Sequence, residues 1–245
     1  MSNDAEVLVQ EKSAKQLQAG RFRGLLDIAV VFLPIVLFGL LGNWIGLETI
    51  TGGFIVNIGY VVSIVVAGLV LKQGGTNWRK IGLARPKSWP RTLLLALGAF
   101  VGAIVLIVGM QMIALSLPGV AAEAPDVSRF DSLVGNVPFL LLMLTLAWTI
   151  IAFGEEMIYR AYIINRLGDV FGHEKVGLVL AVITSGVIFG LAHFAEGPVG
   201  LLTNGAFGLL FGWIYLKSGR NLWITIIAHG LLNTLRFVLV FAGAA

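Results

Sequence analysis

The sequence contains no cysteine. Disulfides, thiolate metal sites, cysteine nucleophiles and S-acylation are therefore excluded. Charge is also scarce: Asp, Glu, Lys and Arg make up 12% of the chain, about half of the roughly 25% usual in soluble domains. No internal repeat or low-complexity tract is apparent. What remains is apolar, with 58% hydrophobic residues. Several runs approach the roughly 20 residues that a spanning helix needs. The connectors between them leave no room for a soluble domain. The expected fold is all-α, a polytopic integral membrane protein with a bundle of about seven transmembrane helices. A cytoplasmic tail over 1–23 would precede a single transmembrane domain over 24–245.

The net charge of +4 would suit nucleic acid if its charges formed a patch, but they lie at the ends of apolar runs. Lys12, Lys15, Arg21 and Arg23 precede the first run, and the tail lacks the small-residue cleavage site of a removable signal. Spans one and two are expected over 25–45, with Pro34 inside, and 54–71, joined by a connector whose only charge is Glu48. The next loop carries Lys72, Arg79, Lys80, Arg85, Lys87 and Arg91 and no acid. By the positive-inside rule that loop and the amino terminus are cytoplasmic. Span three covers 92–117. Its outer connector holds Glu123, Asp126 and Asp131 against Arg129 alone. Span four starts near Pro138, the inner loop covers 165–175, and spans five to seven cover 176–194, 199–216 and 222–241. The carboxyl terminus then faces outward. The partners expected from this pattern are a lipid bilayer and no nucleic acid. Glycines at 186, 190, 205, 208 and 212 read as packing positions, because small residues let spanning helices approach closely.

Polar groups inside these runs are few. Between Pro138 and Gly154 there is no ionisable residue, and then Glu155, Glu156 and Arg160 follow. Carboxylates at membrane depth are costly and mark sites or wet cavities. Glu156 and Arg160 are four apart and share a helix face, whereas Glu155 is rotated by about 100° and points elsewhere. It is free to act as a general base. His193 follows Phe189 by four residues, and His229 precedes Asn233 by four. A lone membrane histidine is usually polar glue between helices, but here three spans bring acids, imidazoles and an amide. His173, between Gly172 and Glu174, reads as solvated surface.

Glu155-Glu156-x-x-x-Arg160, Phe189-x-x-x-His193 and His229-x-x-x-Asn233, in that order on three helices, resemble the signature motifs of the CPBP intramembrane protease family. That family includes the type II CAAX prenyl endopeptidases and bacteriocin-processing and immunity proteins. The similarity covers about 147–236, within a motif-bearing core at 138–241. It implies an intramembrane endopeptidase acting on a membrane-associated peptide or protein, in a bacterial or archaeal cell membrane. Under this reading Glu155 and His193 hold and deprotonate a water, and His229 and Asn233 donate to the oxyanion. Glu156 and Arg160 support them, and Phe189 shapes and dries the pocket.

The favoured scheme needs no cofactor. A divalent metal such as zinc, held by Glu155, His193 and His229, is the alternative, since two imidazoles and a carboxylate form a plausible ligand set. Against it, no His-Glu-x-x-His helix is present, because His173-Glu174 is followed by Lys175-Val176-Gly177. Ser185-Gly186 lacks the upstream glycine of a Gly-x-Ser-Gly nucleophile motif, and Gly168-Asp169 follows Arg166 and not a glycine. Two non-proteolytic readings also remain open: a membrane binding or immunity protein, and a proton-coupled transporter using the same cavity. Depth raises a difficulty. If span four ends near Ile163, Glu155 lies closer to the inner side than His193, and the helices must extend beyond the bilayer, tilt, or bend around Gly154.

Overall fold

The computed structural model describes residues 3–46, 50–116 and 128–244, with side chains from residue 18 onward except those of 50, 128 and 129. Glu48, Glu123 and Asp126 lie outside the described residues, as do the side chains of Lys12, Lys15 and Arg129. The described residues form helices and turns without a strand. Seven helices are long and apolar enough to cross a membrane. They are α1 (Asn3–Ile45), α2 (Ile50–Gln73), α3 (Trp89–Leu115), α4 (Val137–Phe171), α5 (Lys175–Ala192), α6 (Gly197–Lys217) and α7 (Leu222–Phe241).

The outer surface is what lipid requires. Leu40, Val65, Leu94, Val105, Met112 and Val187 are each more than half exposed. In water such an apolar exterior would drive association; against acyl chains it is matched. The buried cluster instead gathers on α4, with Met157 to Ile164 and Leu167 packed against α5, α6 and α7. The stretch of α4 from Gly154 to Ile164, buried throughout, is therefore the one that carries the acids.

Local chemistry fixes the helix starts. Asn136 caps α4 by accepting from the Phe139 amide at 3.1 Å, with Pro138 in the first turn, where a missing N–H costs nothing. Ser88 caps α3 in the same way through the Arg91 amide at 3.4 Å. Asn221 accepts from the Trp223 amide and donates to Thr92 Oγ1 at 2.9 Å, tying the start of α7 to α3. Tyr215 on α6 donates to the Ile81 carbonyl at 2.7 Å and accepts from Asn165 of α4 at 2.8 Å. These bonds join α4, α6 and the basic α2–α3 connector at one end of the bundle.

Helices α5 and α6 meet backbone to backbone. A Cβ at Gly190 would lie 2.8 Å from the Leu201 carbonyl, and one at Gly208 would lie 2.9 Å from Gly186 Cα. Gly212 meets Val182 and Ile164 at 3.0 and 3.2 Å, whereas Gly205 has only ordinary contacts at 3.9 Å. The five glycines are thus at the helix contacts expected of them, with Gly205 the least restrictive.

The inner loop expected over 165–175 is mostly helical. Helix α4 continues to Phe171 and only 172–174 turn the chain into α5. The polar residues that suggested a loop are satisfied as a helix end. Arg166 pairs with Asp169 at 3.1 Å and with Asp27 of α1 at 3.6 Å, and Asp169 holds His173 Nε2 at 2.8 Å. The extension resolves the depth difficulty without a break at Gly154. Glu155 lies 16 residues before the end of α4 and His193 lies 18 after the start of α5. At 1.5 Å per residue both stand about 24 to 27 Å from the turn.

Candidate active site

Glu155 sits between two π-helical turns of α4, Ala147–Ala152 and Glu156–Ile163. Such turns are uncommon and concentrate at functional sites, because the added residue re-aims the side chains that follow. Here the consecutive acids take different partners. Glu156 is fully buried and its Oε1 receives Arg160 Nη1 at 3.2 Å and His229 Nδ1 at 3.0 Å. Arg160 makes a charge contact and not an aligned hydrogen bond. Its guanidinium is boxed by rings, 4.5 Å from the Phe189 centroid, 5.3 Å from Phe207 and 5.5 Å from Phe211. Ring faces attract a cation that water cannot reach.

Glu155 is 7% exposed and takes no part in the Arg160 pair. Its Oε2 lies 3.9 Å from His229 Nε2. The electrostatic neighbours of its carboxylate are His229, His193, Arg160 and Glu156. His229 therefore stands between the two acids, with one ring nitrogen toward each. Since Glu156 also faces Arg160, it is the ionised acceptor and His229 Nδ1 carries the hydrogen.

His193 closes the end of α5, just past Ala192. Its Nδ1 lies 2.9 Å from the Phe189 carbonyl, which can only accept, so the hydrogen is on Nδ1 and Nε2 keeps its lone pair. Phe189 stacks near this imidazole at 4.7 Å and meets Tyr159 edge-on at 4.8 Å. Asn233 is half-buried on α7, one turn beyond His229, and its Nδ2 has no hydrogen-bond partner among the described residues. Glu155, His193 and His229, from α4, α5 and α7, thus lie together in the interior, with Asn233 one turn along α7 from His229. His173 lies apart from them, half exposed at the α4–α5 turn.

Several neighbours carried no sequence signal strong enough to single them out. Phe207 and Phe211 of α6 complete the box around Arg160, and both also meet the His229 ring, at 5.1 and 6.3 Å. Their spacing of four on an apolar helix was the available signal, but it is indistinguishable from ordinary core. Tyr159 is buried beside Glu155, its hydroxyl 3.4 Å from that of Tyr60 on α2. Ser185, not a nucleophile, donates to the Tyr159 carbonyl at 2.9 Å.

His229 commits Nδ1 to Glu156 and His193 commits Nδ1 to a carbonyl, which leaves both Nε2 atoms uncommitted, as metal-binding histidines also have them. Among the described residues, no three His, Asp or Glu side chains are grouped to hold one ion.

Residues 137–235 match the family described as type II CAAX prenyl endopeptidase Rce1-like. This segment is an Rce1-like domain. It contains every motif residue named above, from Glu155 to Asn233, and the whole of α5 and α6. At the family level the activity is that of a CAAX-protease-type endopeptidase in an integral membrane protein. No curated protein and no solved structure matches the chain.

Proposed function

We propose that this protein hydrolyses a peptide bond of a membrane-embedded or lipid-anchored substrate, using a water activated by Glu155 and His193. The observation that carries the reading is the division between two adjacent acids. Glu156 is consumed by Arg160 and His229 Nδ1, whereas Glu155 is buried beside the other nitrogen of the same histidine and takes no part in the Arg160 pair.

A water held between Glu155 and His193 donates one hydrogen to His193 Nε2 and gives the other proton to the Glu155 carboxylate as its oxygen attacks the scissile carbonyl. The oxyanion accepts from Asn233 Nδ2, which has no competing partner among the described residues. When His229 carries a second proton on Nε2, the Glu156 carboxylate balances the charge, and that N–H is the second donor. Collapse of the tetrahedral intermediate breaks the C–N bond, and Glu155 returns its proton to the leaving amine. No step uses a metal. The description of the matched family, a prenyl endopeptidase, supports a substrate that bears a lipid, with its peptide entering from the bilayer. The basic α2–α3 connector supports a topology with that connector and the amino terminus in the cytoplasm.

The test is a comparison of membrane proteomes from cells making wild-type or Glu155→Gln protein. A peptide cleaved only with wild type is the expected result. Cleavage that survives Glu155→Gln would remove the catalytic assignment. Driven solute flux in proteoliposomes without proteolysis would favour a transporter, and peptide retention without cleavage a binding protein.

A further inference from the structure

A threonine hydroxyl inside a helix commonly satisfies itself by donating to the carbonyl one turn back. Thr145, Thr149 and Thr234 do this, at 2.8, 2.6 and 2.8 Å from the carbonyls of Leu141, Thr145 and Gly230. Thr203 of α6 does not. It is 8% exposed, yet its Oγ1 has no hydrogen-bond partner among the described residues. An unsatisfied buried hydroxyl costs about 1–3 kcal/mol, so nothing in the packing of the resting fold accounts for it.

Its position does. Tyr159, Phe189, Phe207 and His229 form a chain of ring contacts across α4, α5, α6 and α7, with centroids 4.8, 5.8 and 5.1 Å apart in turn. Helices α5 and α7 run in one direction and α4 and α6 in the other. Helical spacing thus sets one polar residue of each of these four helices, Glu155, His193, Thr203 and Asn233, about one turn from its ring, toward the same end of the bundle. Glu155, His193 and Asn233 are three of the four groups used in the chemistry proposed above. Thr203 completes the set from the one helix that carries no signature motif, and Asn233 Nδ2 is unpartnered as it is.

We propose that the Thr203 hydroxyl faces the substrate and, with Asn233, donates to the carbonyl oxygen at the reacting centre. This rests on the protease reading. A peptide opened for cleavage in an apolar interior loses its own backbone bonds, and its carbonyls must find donors in the protein. A hydroxyl that no other group competes for is already free to turn toward the charge that develops there.

Thr203→Val keeps the shape and removes the hydroxyl; Thr203→Ser keeps the hydroxyl. Full-length protein in proteoliposomes, assayed on a prenylated CAAX-type peptide, should lose at least about 10-fold in kcat with Thr203→Val. KM should be little changed, because the bond strengthens in the transition state. Thr203→Ser should retain most of the turnover. The melting temperature of Thr203→Val in detergent should be unchanged or higher, a response that a structural hydroxyl would not give. Wild-type kcat in Thr203→Val overturns the proposal. So does a joint fall in melting temperature and activity that serine fails to rescue. If wild-type protein leaves the peptide intact, the protease reading fails for this substrate class and the role of Thr203 falls with it.

Discussion

His229 and Glu156 are joined through Nδ1 and Oε1 at 3.0 Å, although 73 residues separate them. The bond turns a histidine of α7 so that its other nitrogen faces Glu155. It also gives Glu156 a task beyond balancing Arg160. Glu156→Gln should therefore act through His229: the single changes Glu156→Gln and His229→Ala should each reduce cleavage, and the double variant should be little worse than His229→Ala alone. Additive losses in a double-mutant cycle would show that the two residues act independently.

Removing Arg160 takes away the cation beside buried Glu156, leaving it the His229 Nδ1 bond alone, and empties the space between three aromatic rings that the guanidinium fills. Leaving one member of a buried pair uncompensated typically costs about 3–5 kcal/mol. Arg160→Ala should lower thermal stability in detergent as well as activity. Unchanged stability would mean that the pair contributes nothing to the fold.

The water-activating and oxyanion groups should fail differently. Glu155→Gln and His193→Ala are expected to be nearly inactive. Asn233→Ala should fall by about 100- to 1000-fold in kcat, as is typical for the loss of one oxyanion donor. KM should change little, since the lost bond acts in the transition state. A rise in KM with kcat intact would make Asn233 a binding residue instead.

Chelators should leave cleavage intact if Glu155 and His193 activate the water unaided, since among the described residues no three His, Asp or Glu side chains are grouped around one ion. Stoichiometric zinc in active protein, lost and regained together with activity, would reverse this preference.

The α5–α6 contact can be probed at two glycines three residues apart. Gly208→Ala places a Cβ 2.9 Å from Gly186 Cα, and backbone cannot yield cheaply, so a loss of about 1–3 kcal/mol is expected. Gly205→Ala meets only contacts at 3.9 Å and should be tolerated. Equal melting temperatures for the two would mean that the helices do not approach this closely.

The spans and the motif-bearing helices were legible because apolar length and positive loops are strong signals in a membrane chain. The pairing of Glu156 with Arg160 followed from their spacing alone. The end of α4 was misread, since Arg166, Asp169 and His173 look like loop residues until Asp27, far away in sequence, supplies the partner for Arg166. The orientation of His229 was equally hidden. A separation of four residues put His229 and Asn233 on one face, but nothing local indicated that Nδ1 belongs to an acid on another helix. The aromatic box escaped notice because Phe207 and Phe211 have the spacing of any packed helix. Thr203 carries no local signal, since its missing bond is visible only once its described neighbours are in place.

The turn at 172–174 has a consequence for how this chain can vary. Glu155 and His193 are measured off from that turn along two neighbouring helices, so the hairpin acts as a caliper whose jaws are set by residue count. One residue inserted on either arm would slide a jaw by about 1.5 Å and swing it by about 100°. Length changes within either arm of the hairpin should therefore be barred to this protein.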